Sequence, residues 1–109
     1  MKLSITTEAK NKIDQQDNMH NLLLFYDTEG CGCGVNGMPT IRNIKSVRDN
    51  YVRVDNDQFE VYVDQLQEVF FAEDLTLSFV NNQFRLSSPD GILNPFIPET
   101  ELTKGDVTI

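Results

Sequence analysis

Tryptophan is absent from this chain of 109 residues, histidine occurs once, at His20, and there are two cysteines, Cys31 and Cys33. A single histidine, with no serine in a nucleophile-elbow context, leaves hydrolysis by a catalytic triad without support, and no enzymatic activity is expected. Basic residues are also scarce: 9 Lys+Arg stand against 17 Asp+Glu, a formal net charge of −8. A surface of that sign repels phosphate backbones and anionic lipid, so neither nucleic acid nor membrane is an expected partner. No apolar run approaches the roughly 20 residues of a membrane span, and Met1-Lys2-Leu3-Ser4-Ile5-Thr6 has no run of signal-peptide length, so a cytoplasmic location is expected. In that reducing compartment two cysteines read as free thiols, ligands or redox groups rather than as a staple. A disulfide across Cys31-Gly32-Cys33 would be strained.

What the chain has in concentration is Gly30-Cys31-Gly32-Cys33-Gly34, continuing through Val35 and Asn36 to Gly37. The stretch carries both cysteines and four of the six glycines, and it comes after the most apolar run, Leu22-Leu23-Leu24-Phe25-Tyr26. This places two thiols on a permissive loop at a strand end, where glycine lets another group approach the backbone. Thiolates are preferred protein ligands of iron, iron–sulfur clusters and zinc. Two are too few for a four-coordinate site, which needs a second protomer or small-molecule thiols for the rest. The plain alternative is that both cysteines are small residues in a glycine-rich turn. Thiol redox sensing needs a depressed thiolate pKa, and no Lys or Arg lies in the loop to supply it.

Other candidates have simpler readings. His20 fits a helix-to-strand turn, and Asp27, Thr28 and Glu29 fit a solvated strand end. Asp55-Asn56-Asp57 has the look of a calcium loop but lacks the following glycine and the bidentate glutamate, so it reads as a turn.

Taken in order, residues 2–6 alternate as a short strand, Thr6 or Thr7 caps a helix over 8–17 with Ala9 and Ile13 on one stripe, and residues 22–26 form a central strand buried on both faces. Pro39 opens a strand over 40–47, in which the phase break between Ile41 and the pair Ile44 and Val47 suggests a bulge. Residues 51–54 and 59–63 alternate as paired antiparallel strands. Asp64 caps a short helix over 65–71 with Leu66, Val69 and Phe70 on its packing face. Strands over 75–79 and 84–86 flank an Asn81-Asn82 turn. The expected core is Leu22, Leu24, Val61, Val63, Leu75, Leu77, Phe79, Phe84 and Leu86. From Ile92 the proline-rich, acidic end has no sustained period. The expected organisation is one domain over 1–95 and a tail over 96–109, in part disordered. The fold class is mainly β (α+β).

The order of these parts resembles the HesB/IscA-like family of iron–sulfur cluster biogenesis proteins. The resemblance is carried by Leu3-Ser4-Ile5-Thr6-Thr7-Glu8-Ala9, by Thr28-Glu29-Gly30-Cys31-Gly32 as the first cysteine motif, by Val61-Tyr62-Val63-Asp64, and by Leu75-Thr76-Leu77-Ser78-Phe79 with Phe84-Arg85-Leu86-Ser87-Ser88-Pro89. It implies a distorted two-sheet β-sandwich with one N-terminal helix and one short helix, binding of iron or a labile Fe–S cluster, a homo-oligomer, since members commonly form dimers or tetramers, with a dimer expected here, and Fe–S assembly or recipient proteins as partners. Carrier members hold the metal through one cysteine of the first motif and a Cys-Gly-Cys near the C-terminus. Here the corresponding segment, Asp90-Gly91-Ile92-Leu93-Asn94-Pro95-Phe96, has no cysteine. Cys31 is therefore the ligand that the resemblance carries over, and Cys33 is an additional candidate particular to this chain. The alternative function is a protein-interaction module that kept the fold and lost the metal.

Overall fold

The computed structural model describes residues 1–15, 21–27 and 38–103. The alternation at the start of the chain gives strand β1 (Lys2–Ile5), with Leu3 fully buried. Thr6 then turns the chain into helix α1 (Thr7–Asp14): its hydroxyl accepts a hydrogen bond from the Ala9 backbone N–H at 3.3 Å, satisfying one of the open donors of the first turn. Ala9 and Ile13, one turn apart, are the two buried residues of this helix.

Among the described residues, eight strands form two four-stranded sheets. The first has the order β1, β6 (Asp74–Val80), β7 (Gln83–Ser88) and β8 (Gly91–Ile97); the second has the order β3 (Met38–Ile44), β2 (Asn21–Asp27), β5 (Val61–Asp64) and β4 (Tyr51–Val54). Each sheet contains one parallel pair, β1 with β6 and β2 with β5, and is otherwise antiparallel. The inward faces meet in one core that includes Leu3, Leu22, Leu24, Val61, Val63, Leu77, Phe84 and Leu86. Burying each such side chain contributes about 1.5–3 kcal/mol. Of the expected core, Phe79 alone is half-buried: it packs edge-on against Phe84, with centroids 4.9 Å apart, and the Lys12 ammonium lies 5.6 Å over its ring.

The sheets are joined at both margins. At one, β1 makes a parallel bridge to the residue after β4, where the Leu3 N–H donates to the Asp55 carbonyl at 3.0 Å and the Asp55 N–H to the Met1 carbonyl at 3.1 Å. At the other, the Asn94 side chain of β8 donates to the Pro39 carbonyl of β3 at 2.7 Å.

Strand β2 is central and covered on both faces. Leu22 and Leu24 enter the main core, while Leu23 and Phe25 join Ile44, Tyr51 and Tyr62 in a smaller outer cluster. The Arg42 guanidinium lies 4.9 Å over the Phe25 ring on that side. The phase break in β3 has the same cause and is not a bulge. Ile41 faces the main core and Ile44 the outer cluster, and the β2–β3 register runs unbroken from Asn21–Ile44 to Asp27–Met38. Val47, expected to extend this strand, lies beyond it and is exposed.

The Asn81-Asn82 hairpin forms as expected, with φ of 54° and 65° at the two turn residues and Val80 paired to Gln83. Two expectations are corrected. The segment over 65–70 is a 3-10 helix (Gln65–Phe70), capped by the Asp64 carboxylate, which accepts from the Leu66 N–H at 2.8 Å; its apolar stripe faces solvent, while Phe71 just after it is buried. The segment from Ile92, read as having no sustained period and as in part disordered, forms β8 and then helix α2 (Thr100–Thr103), with Ile97 and Leu102 buried. Local periodicity misses β8 because its pairing with β7 shifts register twice, between Phe84 and Leu86 and between Leu86 and Ser87. Among the described residues, no helix is long and apolar enough to cross a membrane.

Candidate functional site

Cys31 and Cys33 belong to residues 28–37, which lie outside the described residues, as do His20, Thr28 and Glu29. The structure describes the frame that carries them. The segment connects β2 to β3, whose facing ends, Asp27 and Met38, are register partners, as are Tyr26 and Pro39. Both thiols are therefore carried by a hairpin connection that leaves and re-enters one sheet at adjacent strands.

That frame is held from two sides by polar side chains. On the β2 side, the Tyr26 N–H donates to Gln67 Oε1 at 3.0 Å, and Gln67 Nε2 donates back to the Tyr26 carbonyl at 3.3 Å. Strand β5 ends at Asp64, with Leu24–Val63 as its last partner in the parallel pair, so the Gln67 amide takes the place of a missing strand residue. Phe70 of the same helix stacks on the Tyr26 ring, with centroids 4.0 Å apart and planes 8° from parallel. On the β3 side, Asn94 holds the Pro39 carbonyl, and the Thr40 hydroxyl donates to Glu101 Oε2 at 3.2 Å. Proline is accepted in β3 because β3 is an edge strand and because Tyr26 directs its own N–H and carbonyl toward Gln67.

None of Gln67, Asn94, Thr40 and Glu101 is legible as a site residue in the sequence. Their partners lie 41 to 61 residues away. Asn94 falls in the segment where the carrier pattern has cysteine, and it is buried there with both ends of its amide engaged: Oδ1 accepts from the Phe96 N–H at 3.1 Å. Among the described residues no group of three or more His, Cys, Asp or Glu side chains is arranged to hold a metal ion.

Asp55, Asn56 and Asp57 do form a turn. Asn56 Oδ1 accepts from the N–H groups of Gln58 and Phe59, both at 2.8 Å, and its Nδ2 donates to the Leu3 carbonyl. With β1 this turn borders a cleft of about 250 Å³. The cleft lies at the end of the second sheet where Val54 pairs Val61, opposite the end where the cysteine connection departs. On the outer face, Arg53 pairs with Glu60 at 2.8 Å, and the Tyr62 hydroxyl donates to the same carboxylate at 3.0 Å. That hydrogen bond, with a contribution from burial, raises the Tyr62 pKa above the usual phenol value.

A family model described as iron–sulphur cluster biosynthesis matches residues 1–98. The chain is 29% identical over 100 residues to the uncharacterized protein YqkB of Bacillus subtilis, covering 87% of this chain and 94% of that protein. Its fold is similar to crystal structures of proposed Fe–S biosynthesis proteins from Lactobacillus salivarius (TM-score 0.72, 19% identity, 90% of this chain and 95% of that one) and Lactobacillus acidophilus (TM-score 0.71, 17% identity, 90% and 87%). It is also similar to Escherichia coli SufA, a protein involved in biosynthesis of iron–sulfur clusters (TM-score 0.59, 15% identity, 83% and 82%). At these identities the structural likeness establishes the fold alone.

Proposed function

The chain belongs to the iron–sulphur cluster biosynthesis family, and from that premise we propose that it binds iron or a labile Fe–S cluster as cargo through the thiolates of Cys31 and Cys33, without itself being an enzyme. The observation that carries the reading is that both thiols fall in the connection between two paired strand ends, each fastened from outside the hairpin, by Gln67 at Tyr26 and by Asn94 at Pro39. Fixed ends limit where the two donors can go, which lowers the ordering cost of ligation. Thiolate is the donor type suited to this cargo, and the chain has no other cysteine. Two thiolates fill half of a four-coordinate shell, and a symmetry-related copy supplies the other half in a homodimer. The cargo is then passed to Fe–S assembly or recipient proteins in the cytoplasm.

A second reading, an interaction module without metal, is favoured by the segment over 90–96: it has no cysteine, and its buried Asn94 is committed to the backbone. Anaerobic reconstitution of the protein with ferrous iron and sulfide separates the two. Visible absorption from thiolate-to-iron charge transfer, with iron retained through desalting, is the expected result. Protein that stays colourless and iron-free overturns the metal reading in favour of the module.

A further inference from the structure

The 3-10 helix carries its hydrophobic side chains on the wrong side for its own core. Leu66 and Val69, one three-residue turn apart on one face, are 81% and 83% exposed, and Phe70, on the neighbouring face with Gln67, is 46% exposed. The helix is anchored instead by Phe71 and by the Gln67–Tyr26 pair. Leu66, Val69 and the Phe70 ring stacked on Tyr26 thus form an apolar patch beside the strand that leads into the cysteine connection. Such a patch spans on the order of a few hundred Å², short of the roughly 800 Å² that each partner buries in a stable dimer. Its size suits a short docked segment.

The charge around it specifies which segment. Within the cap and the six residues of the helix, every charged side chain is acidic. Asp64 caps the 3-10 helix, and Glu68 lies within it. Arg48 lies in the segment joined to the helix by the Gln65 N–H to Asn50 carbonyl bond, and its guanidinium is 6.0 Å over the Tyr51 ring. A second copy seated patch to patch would set Asp64 and Glu68 against their own counterparts. We propose that the exposed surface formed by Leu66, Val69 and the adjoining Phe70 is a docking surface for a basic amphipathic segment of a partner protein, whose apolar side chains seat on it while flanking Lys or Arg residues meet Asp64 and Glu68. Docking itself is independent of metal. Only the partner's role as donor or recipient of cargo rests on the proposed thiol chemistry.

The probe is a labelled synthetic peptide that places Leu and Phe at helical spacing between lysines, with a counterpart carrying Glu in place of Lys. Both are titrated against the isotopically labelled, metal-free full chain and its Cys31→Ser variant, so that failure of metal binding leaves this test intact. The expected result is binding of the lysine peptide alone, weakening as salt is raised, with amide shifts centred on the 3-10 helix and Tyr26. The double variant Leu66→Ser, Val69→Ser should lose about tenfold or more in affinity with an unchanged melting temperature. Equal binding of both peptides, shifts centred elsewhere, or an unaffected double variant would overturn the proposal. Self-association of the wild type in sedimentation that the double variant abolishes would also overturn it, since the occupant would then be a second copy.

Discussion

Gln67 and Tyr26, 41 positions apart, exchange the two hydrogen bonds that neighbouring strand residues would exchange. A side chain here extends the second sheet beyond the end of β5, at the last stretch of β2 before the cysteine segment.

Replacing Gln67 by Ala leaves the Tyr26 N–H and carbonyl without this partner in a half-buried setting. The expected cost is about 1–3 kcal/mol. Chemical denaturation measures it, and faster amide exchange at Tyr26 than at Leu24 should accompany it.

Leu77→Ala removes a fully buried side chain between the sheets and is expected to cost about 2–5 kcal/mol. Phe79→Ala, at a half-buried ring, should cost less than Phe84→Ala, because Phe84 is fully buried. Denaturation midpoints in the reverse order would contradict the packing of this hairpin.

Asn81 and Asn82 both hold positive φ. Asn82→Ala is expected to lose about 1 kcal/mol through the left-handed conformation it forces on a β-carbon, whereas Asn82→Gly should keep or raise stability. Thermal melts of the pair provide the comparison.

For the thiols, Cys31→Ser is expected to abolish bound iron while leaving the metal-free protein as stable as wild type, because a hydroxyl is a far poorer ligand for this cargo. If both thiolates of one chain join those of a symmetry mate, Cys33→Ser should lose iron to the same degree; if Cys31 alone ligates, it should lose less. Iron counting after desalting decides between them.

The raised Tyr62 pKa makes a prediction for alkaline pH. A phenol whose folded pKa exceeds its unfolded value favours the neutral form in the fold. Its contribution is complete below the unfolded value near 10 and is lost as pH rises through the folded value. Tyr62→Phe should therefore flatten part of the decline in stability above pH 10, measured by urea denaturation across that range.

The parts of the fold that were legible are those set by neighbours in the chain. Thr6 and Asp64 each cap the helix that begins at the next residue, Asn81-Asn82 turns, and five consecutive apolar residues announce the doubly covered β2. The same double coverage in β3 imitates a bulge, because Ile41 and Ile44 are buried on opposite faces and no single period describes them. The stripe of the 3-10 helix reads as a buried face because spacing says nothing about which side the chain will cover. At the candidate site, composition singles out the thiols. The frame around them depends on Gln67, Asn94 and Thr40, whose partners are distant in sequence and whose residue types are ordinary at a surface.

The pairing of β1 sets an order of events during synthesis. Leu3 lies beside Leu75, and its N–H is held by Asp55, so the first strand lacks its full set of neighbours until the chain has grown past both. At a translation rate of about 5–20 residues per second, that delay is roughly 4–14 s. Contacts of such separation also place the protein among slower-folding domains, because the entropy of closing the long intervening chain is lost before the pairing stabilises anything. The second sheet, whose strands all lie between Asn21 and Asp64, is complete in sequence earlier. It is the natural platform on which the opening strand and the three strands from Asp74 onward then assemble, leaving the β2 and β3 ends that flank the cysteines among the first parts of the molecule to be built.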